Sequence, residues 1–244
     1  IGYFTRNRYI DNMLQLNRYI FLFLGIVGAA AHADAQNDNF IMKRELSEVP
    51  LTSINISPDG TLLLAGYENG SFRLLDPESF AIKLEVKDAH HKAVNAMDIS
   101  PKMDFILSAG ANSIKLWDRS GEHLLDWTLH ATTIWNAEIS SDGLWVVSSA
   151  INKTFLLWDV RNNELIEAMR GHEDICLAVS ISPDSRLIAS GANDLSIKLW
   201  DLETRKLTAT LHGPTEDIYD LAFSPDGSLL VACSKDRSAR IYDV

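Results

Sequence analysis

A motif that closes on an aliphatic residue, a large apolar or aromatic residue and Asp recurs along this chain, and its spacing limits the fold more than any other feature. The fullest copy, Gly171 to Asp201, reads GHEDICLAVSISPDSRLIASGANDLSIKLWD. Related endings stand at Leu74-Leu75-Asp76, Leu116-Trp117-Asp118, Leu157-Trp158-Asp159 and Ile241-Tyr242-Asp243. With Trp200, the central position falls at 75, 117, 158, 200 and 242, in steps of 42, 41, 42 and 42 residues. Between Gly171 and Asp201 lie three runs of strand length, rich in Val, Ile, Leu and Ala, separated by Ser182-Pro183-Asp184-Ser185 and Asn193-Asp194. Three short strands cannot bury their own apolar faces. A steady period of this length solves that by stacking like units side by side.

Each unit also carries a fourth, outer strand ahead of the three: Ile41–Glu45, Ile82–Val86, Leu124–Thr128, Leu165–Met169 and Leu207–Leu211. The first and second motif strands are joined by Ser57-Pro58-Asp59-Gly60, Ser100-Pro101-Lys102-Met103, Ser140-Ser141-Asp142-Gly143, Ser182-Pro183-Asp184-Ser185 and Ser224-Pro225-Asp226-Gly227. Pro presets one turn dihedral there and Gly relieves another. Asp76-Pro77-Glu78-Ser79, Asp118-Arg119-Ser120-Gly121, Arg161-Asn162-Asn163 and Glu203-Thr204 connect each third strand to the next outer strand as hairpins.

Gly-His, SPDG, SxD and Trp-Asp, recurring in phase about every 42 residues over 41–244, resemble the WD-repeat family of β-propellers. The resemblance implies an all-β fold of four-stranded antiparallel blades set radially around a channel. It also implies a hydrogen-bonded tetrad in each blade, complete in this chain only as His172, Ser190, Asp194 and Trp200. The second unit has His90 and Trp117 with Asn112 near the Asp position, and the third has His130, Ser148, Asn152 and Trp158. Pro214 replaces the His of the fifth unit, which keeps Asp236, and the first unit lacks both His and Trp. Five units are present where the family most often closes with seven, so an open arc of a longer propeller is expected. A five-bladed ring closed by Ile41–Glu45 is the alternative.

Ahead of the repeats, Met13 to Arg18 forms a short head with one positive charge, Tyr19 to Ala31 is apolar, and Ala31-His32-Ala33 and Ala33-Asp34-Ala35 are small-x-small sites. Residues 13–35 therefore read as a secretory signal peptide, 1–12 as upstream translation and 36–40 as a linker, which predicts export to a periplasmic or extracellular location. Thirteen apolar residues fall short of the ~20 that span a bilayer, so no membrane insertion is expected after cleavage. The formal net charge of −11 argues against a nucleic-acid partner, since such binding needs clustered Lys and Arg. The two cysteines, Cys176 and Cys233, fall in apolar strands of different units and read as small buried hydrophobes.

His172, Ser190 and Asp194 have the residue types of a nucleophile, base and orienter. Decaying copies in other units mark them instead as an architectural cluster, because a catalytic site need occur only once. The remaining histidines offer no metal spacing, and the adjacent His90 and His91 would face opposite ways on a strand. No metal, cofactor or catalytic residue is expected. By the resemblance, the residue after the first apolar position of each inner strand lies near the upper channel mouth: Thr52, Asn95, Trp135, Leu177 and Tyr219. Glu68, Ile151, Asn193 and Lys235 decorate the same rim. The expected function is a non-enzymatic scaffold that binds a protein or peptide partner through Trp135, Tyr219, Asn95, Leu177, Asn193 and Lys235. The competing reading is a regulatory or targeting module of an enzyme whose catalytic domain lies beyond Val244.

Overall fold

The computed structural model describes residues 49–128 and 130–244. The segments 1–12, 13–35 and 36–40, and the first outer strand expected at Ile41–Glu45, lie outside the described residues. Within them the chain forms 19 strands in five antiparallel meanders. Blade one consists of β1 (Leu51–Ile56), β2 (Leu63–Tyr67), β3 (Phe72–Leu75) and β4 (Ile82–Val86). Blade two holds β5 (Val94–Ile99), β6 (Ile106–Gly110), β7 (Ser113–Trp117) and β8 (His123–Trp127). Blade three holds β9 (Ile134–Ile139), β10 (Trp145–Ala150), β11 (Thr154–Asp159) and β12 (Glu164–Arg170). Blade four holds β13 (Cys176–Ile181), β14 (Leu187–Ala192), β15 (Ile197–Asp201) and β16 (Leu207–Leu211). Blade five shows three strands, β17 (Ile218–Phe223), β18 (Leu229–Ser234) and β19 (Ala239–Asp243).

Hydrogen bonding explains why the Ser-Pro-Asp-Gly turns recur. Ser57 Oγ donates to Asp59 Oδ1 at 2.6 Å and accepts from the Leu62 amide at 2.9 Å, while the Gly60 amide closes on the Ser57 carbonyl at 2.8 Å. Gly60 takes φ 73°, a left-handed conformation that favours glycine. The same serine-centred bonds form at Ser140, Ser182 and Ser224, so a buried hydroxyl replaces the backbone partners that the turn removes.

The core is a set of layers between neighbouring blades. Leu64, Phe72 and Leu74 of blade one pack with Ile106 and Trp117 of blade two, and Leu107, Ile114 and Trp127 of blade two pack with Ile134, Val146 and Trp158 of blade three. Comparable layers join blades three and four, and blades four and five. Each layer between blades one and four includes an aromatic contact to the Trp of the motif. Phe72 meets Trp117 edge-on at 5.5 Å, Trp127 stacks on Trp158 at 4.8 Å, and Phe155 meets Trp200 edge-on at 5.6 Å. Stacking thus supplies the burial that one unit lacks. In the third strands, Leu74, Leu116, Leu157 and Leu199 lie beside an outer strand and are at most 6% exposed, whereas Ile241 on β19 is 64% exposed.

Polar bonds bind the blades near the axis. Thr52 Oγ1 donates to the Val94 carbonyl at 2.7 Å, Asn55 Nδ2 to Met97 O at 3.1 Å, and Asn95 Nδ2 to Ile134 O at 2.8 Å. Residues of all five inner strands line a central cavity of about 320 Å³.

Candidate functional site

The His-Ser-Asp-Trp constellation of blade four is assembled from four places in the repeat. His172 lies before β13, Ser190 on β14, Asp194 in the β14–β15 turn and Trp200 on β15. Gly171 precedes the histidine because a Cβ there would sit 2.7 Å from the Trp200 ring. Trp200 Nε1–H donates to Ser190 Oγ at 2.8 Å, and the Ser190 hydroxyl donates to His172 Nε2 at 2.8 Å. That assigns the ring proton to Nδ1, which donates to Asp194 Oδ2 at 2.8 Å. Asp194 Oδ2 also accepts from the Glu173 amide at 2.9 Å, which ties the two loops of the upper edge together.

The order Ser190, His172, Asp194 is that of a hydrolytic triad, but its surroundings rule out that use. Ser190 accepts from a tryptophan, is fully buried and has no access to a substrate carbonyl. Desolvation lowers the pKa of His172 despite its carboxylate neighbour. Hydrogen bonds from Ser196, Glu173 and His172 outweigh desolvation at Asp194 and hold its carboxyl below the usual range.

Copies of the network differ around a constant centre. In blade two, Trp117 Nε1–H donates to Ser108 Oγ at 2.8 Å, Ser108 bonds His90 Nε2 at 2.8 Å, and Ser113 Oγ meets His90 Nδ1 at 3.2 Å. Ser113 is the counterpart of Ser196, whose hydroxyl lies 3.4 Å from His172 Nδ1 in blade four, so blade two keeps that serine and lacks the carboxylate, and Asn112 does not replace it. Blade three keeps Trp158, Ser148 and His130 at 2.8 and 2.7 Å, but Asn152 Oδ1 turns to the amide and hydroxyl of Thr154. His130 Nδ1 is left buried without a partner. Desolvation lowers both His90 and His130 to a pKa of about 4. In blade five, Asp236 accepts from the Thr215 amide at 2.9 Å and from Arg240 Nη1 at 2.8 Å, so an arginine on the third strand takes over the histidine's place.

The expected rim residues divide by accessibility. Trp135 and Tyr219 are half-exposed, whereas Leu177 is 7% exposed and Asn95 uses its amide on the next blade. Asn193 is half-buried, its backbone amide bonded to Ile175 O at 2.8 Å and its side-chain oxygen buried without a partner. Lys235 is exposed and pairs with Asp217 at 3.1 Å. Two turn-tip residues add apolar surface to this edge: the expected Ile151 is 40% exposed, and Leu195, which was not among the expected rim residues, is 38% exposed.

Near the opposite, Ser-Pro-Asp-Gly end, the channel wall carries carboxylates that the sequence reading also missed. Asp98 Oδ1 accepts from Ile99 N at 2.8 Å and Asn55 Nδ2 at 3.3 Å, and its Oδ2 accepts from Ile139 N of the next blade at 2.8 Å. Glu138 Oε1 accepts from Ile181 N of the blade after that at 3.3 Å. Asp220 Oδ1 accepts from Leu221 N at 2.9 Å and faces Asn136 Nδ2 at 3.5 Å. A readable signal for two of them exists in Asn55-Ile56-Ser57, Asp98-Ile99-Ser100, Glu138-Ile139-Ser140 and Ser180-Ile181-Ser182, a polar residue two places before four of the five turn serines; Asp220 lies outside it, since Ala222 holds that place before Ser224. Among the described residues, no group of three His, Cys, Asp or Glu has the geometry to hold a metal ion, and both cysteines are free.

The sequence profile of the WD domain, G-beta repeat family matches residues 44–76, 83–118, 121–159, 163–201 and 205–243. The chain belongs to the WD-repeat family. Each matched repeat from the second onward begins at or near an outer strand, so every repeat is staggered by one strand against the blade it helps to build. Among individual proteins, the chain is similar to DDB1- and CUL4-associated factor 10 of Xenopus laevis, 32% identical over 150 residues that cover 54% of this chain and 33% of that protein. The Xenopus tropicalis protein of the same name is 27% identical with the same coverage, and the human one is 28% identical over 109 residues, 44% of this chain and 20% of its own length. The stretch shared with the Xenopus proteins spans about a third of their length.

These relatives correct the expectation of export. Factors that associate with DDB1 and CUL4 work inside the cell, so the reading of a secretory signal, and with it a periplasmic or extracellular location, is withdrawn. The physical reason for the error is that a short apolar run followed by alanines meets the compositional test for a leader without any test of its context.

Proposed function

We propose that this WD-repeat chain is a non-catalytic scaffold that holds a protein partner on the upper rim of its propeller, and that it associates with DDB1 and CUL4 as its relatives' names describe. One observation carries the reading. The histidine, serine and carboxylate groups that could support acyl transfer are tied into buried braces repeated from blade to blade, so the loops are left as the accessible chemistry. Half-exposed Trp135 and Tyr219 and the exposed Ile151 and Leu195 stand among polar loops, the mixture in which a few anchors dominate affinity. Strands fix these loops before a partner arrives, which lowers the entropic cost of binding.

Titration calorimetry of the full chain against purified DDB1 tests the proposal. Binding is expected, with Trp135→Ala and Tyr219→Ala each weakening it about tenfold or more while leaving thermal unfolding unchanged. Absence of binding removes DDB1 as a partner, and unchanged affinity in both variants removes the rim as the contact.

A further inference from the structure

The channel carboxylates combine two properties that pull in opposite directions. Asp98, Glu138 and Asp220 line one cavity of about 320 Å³, and no Lys, Arg or His is among the residues lining it. The groups that face Glu138 are Asp98 on β5, Asp220 on β17, and the hydroxyl of Ser180 with the amide of Ile181 on β13; its cross-strand neighbour on β10, Val147, is apolar. Asn55 on β1, Asn95 on β5 and Asn136 on β9 add neutral amides to the lining. Like charges confined in this way repel each other in a medium that screens them less than bulk water does. Yet Asp98 and Glu138 also clamp the inner strands, because each accepts a backbone amide of the following blade.

We propose that Glu138, set with Asp98 and Asp220 on one cation-free channel wall, retains a proton at neutral pH, and that loss of this proton weakens the packing of blades two to four by setting like charges against one another across the channel, a cost that outweighs the stronger amide bonds of the charged form. Desolvation, with the neighbouring Asp98 and Asp220 charges, raises the Glu138 pKa to about 8, and desolvation raises Asp98 and Asp220 to about 6. All three keep some accessible surface, but that surface faces the channel. A carboxyl with a raised folded pKa binds more protons folded than unfolded between the two values. Stability from Glu138 is therefore fully present below the unfolded value and is lost as pH rises towards about 8. The buried histidines act in the opposite sense and mainly below their unfolded value near 6.5, so the interval above pH 7 isolates Glu138.

The test is denaturant unfolding of the full chain and of Glu138→Gln at pH 7 and pH 8.5. The ratio of their folding constants is expected to shift by about fivefold in favour of the variant between the two values, after allowance for screening by channel water. Parallel pH profiles overturn the proposal. Carboxyl carbon NMR of the unmodified chain decides the matter if the variant does not fold. A Glu138 resonance titrating above pH 7 supports the proposal, and one titrating in the ordinary glutamate range overturns it.

Discussion

Blades four and three contain the same three-residue centre with different endings. Trp200, Ser190 and His172 are linked by bonds of 2.8 Å, and Trp158, Ser148 and His130 by bonds of 2.8 and 2.7 Å. Blade four ends the chain on Asp194, which also takes the Glu173 amide, while blade three ends it on a buried and unpartnered Nδ1. Both sheets nevertheless keep four strands, and Trp158 and Trp200 are equally sealed, at 1% and 4% exposure. Apolar stacking between blades therefore decides the shape. The carboxylate satisfies a polar group that stacking has already buried, and so contributes stability without specifying the fold.

The comparison breaks most sharply at Asp194. Replacing it with Ala strands His172 Nδ1–H and frees the Glu173 amide, and is expected to cost about 1–3 kcal/mol in chemical denaturation. The converse change, Asn152→Asp, offers blade three the missing acceptor and should add about 0.5–1.5 kcal/mol. An unchanged midpoint would mean that the β10–β11 turn cannot reach His130. Acid titration sharpens the same contrast. His130 stays neutral in the fold down to about pH 4, whereas the unfolded chain protonates it below about 6.5, so its contribution is lost as pH falls through that window. Asn152→Asp should favour protonated His130 and make the variant's stability fall less steeply than that of the parent between pH 7 and pH 5. The smallest effect is expected at Ser185, which holds φ 57° where Gly60, Gly143 and Gly227 hold 73° in their turns. Ser185→Gly should gain about 0.5 kcal/mol in thermal unfolding.

Where a single repeat determines the outcome, the sequence was a good guide. Outer strands expected at Ile82–Val86 and Leu207–Leu211 are found there, and the other two described ones differ by one residue at their ends, next to register shifts at Leu116/Trp117 and Leu157/Trp158. The blade-four brace was legible because all its members lie within 29 residues of one another. The ending of the blade-two network was not, because the shorter β6–β7 turn omits the carboxylate position and leaves His90 Nδ1 to Ser113, the counterpart of Ser196. Nor were the channel carboxylates, which come from positions separated by 40 and 82 residues and are brought to one cavity only by the curvature of the row of blades. Asn95 misled for a related reason: a polar residue on an inner strand looks free for a partner until the next blade supplies the Ile134 carbonyl.

The double-mutant cycle of His172→Ala and Asp194→Ala, read in parallel by unfolding and by partner binding, tests most directly whether the polar chain repeated between blades is a brace. A coupling of about 1 kcal/mol or more in stability, with binding unchanged in every variant that remains folded, is the predicted result. Additive stability effects, or loss of binding by folded variants, would contradict it.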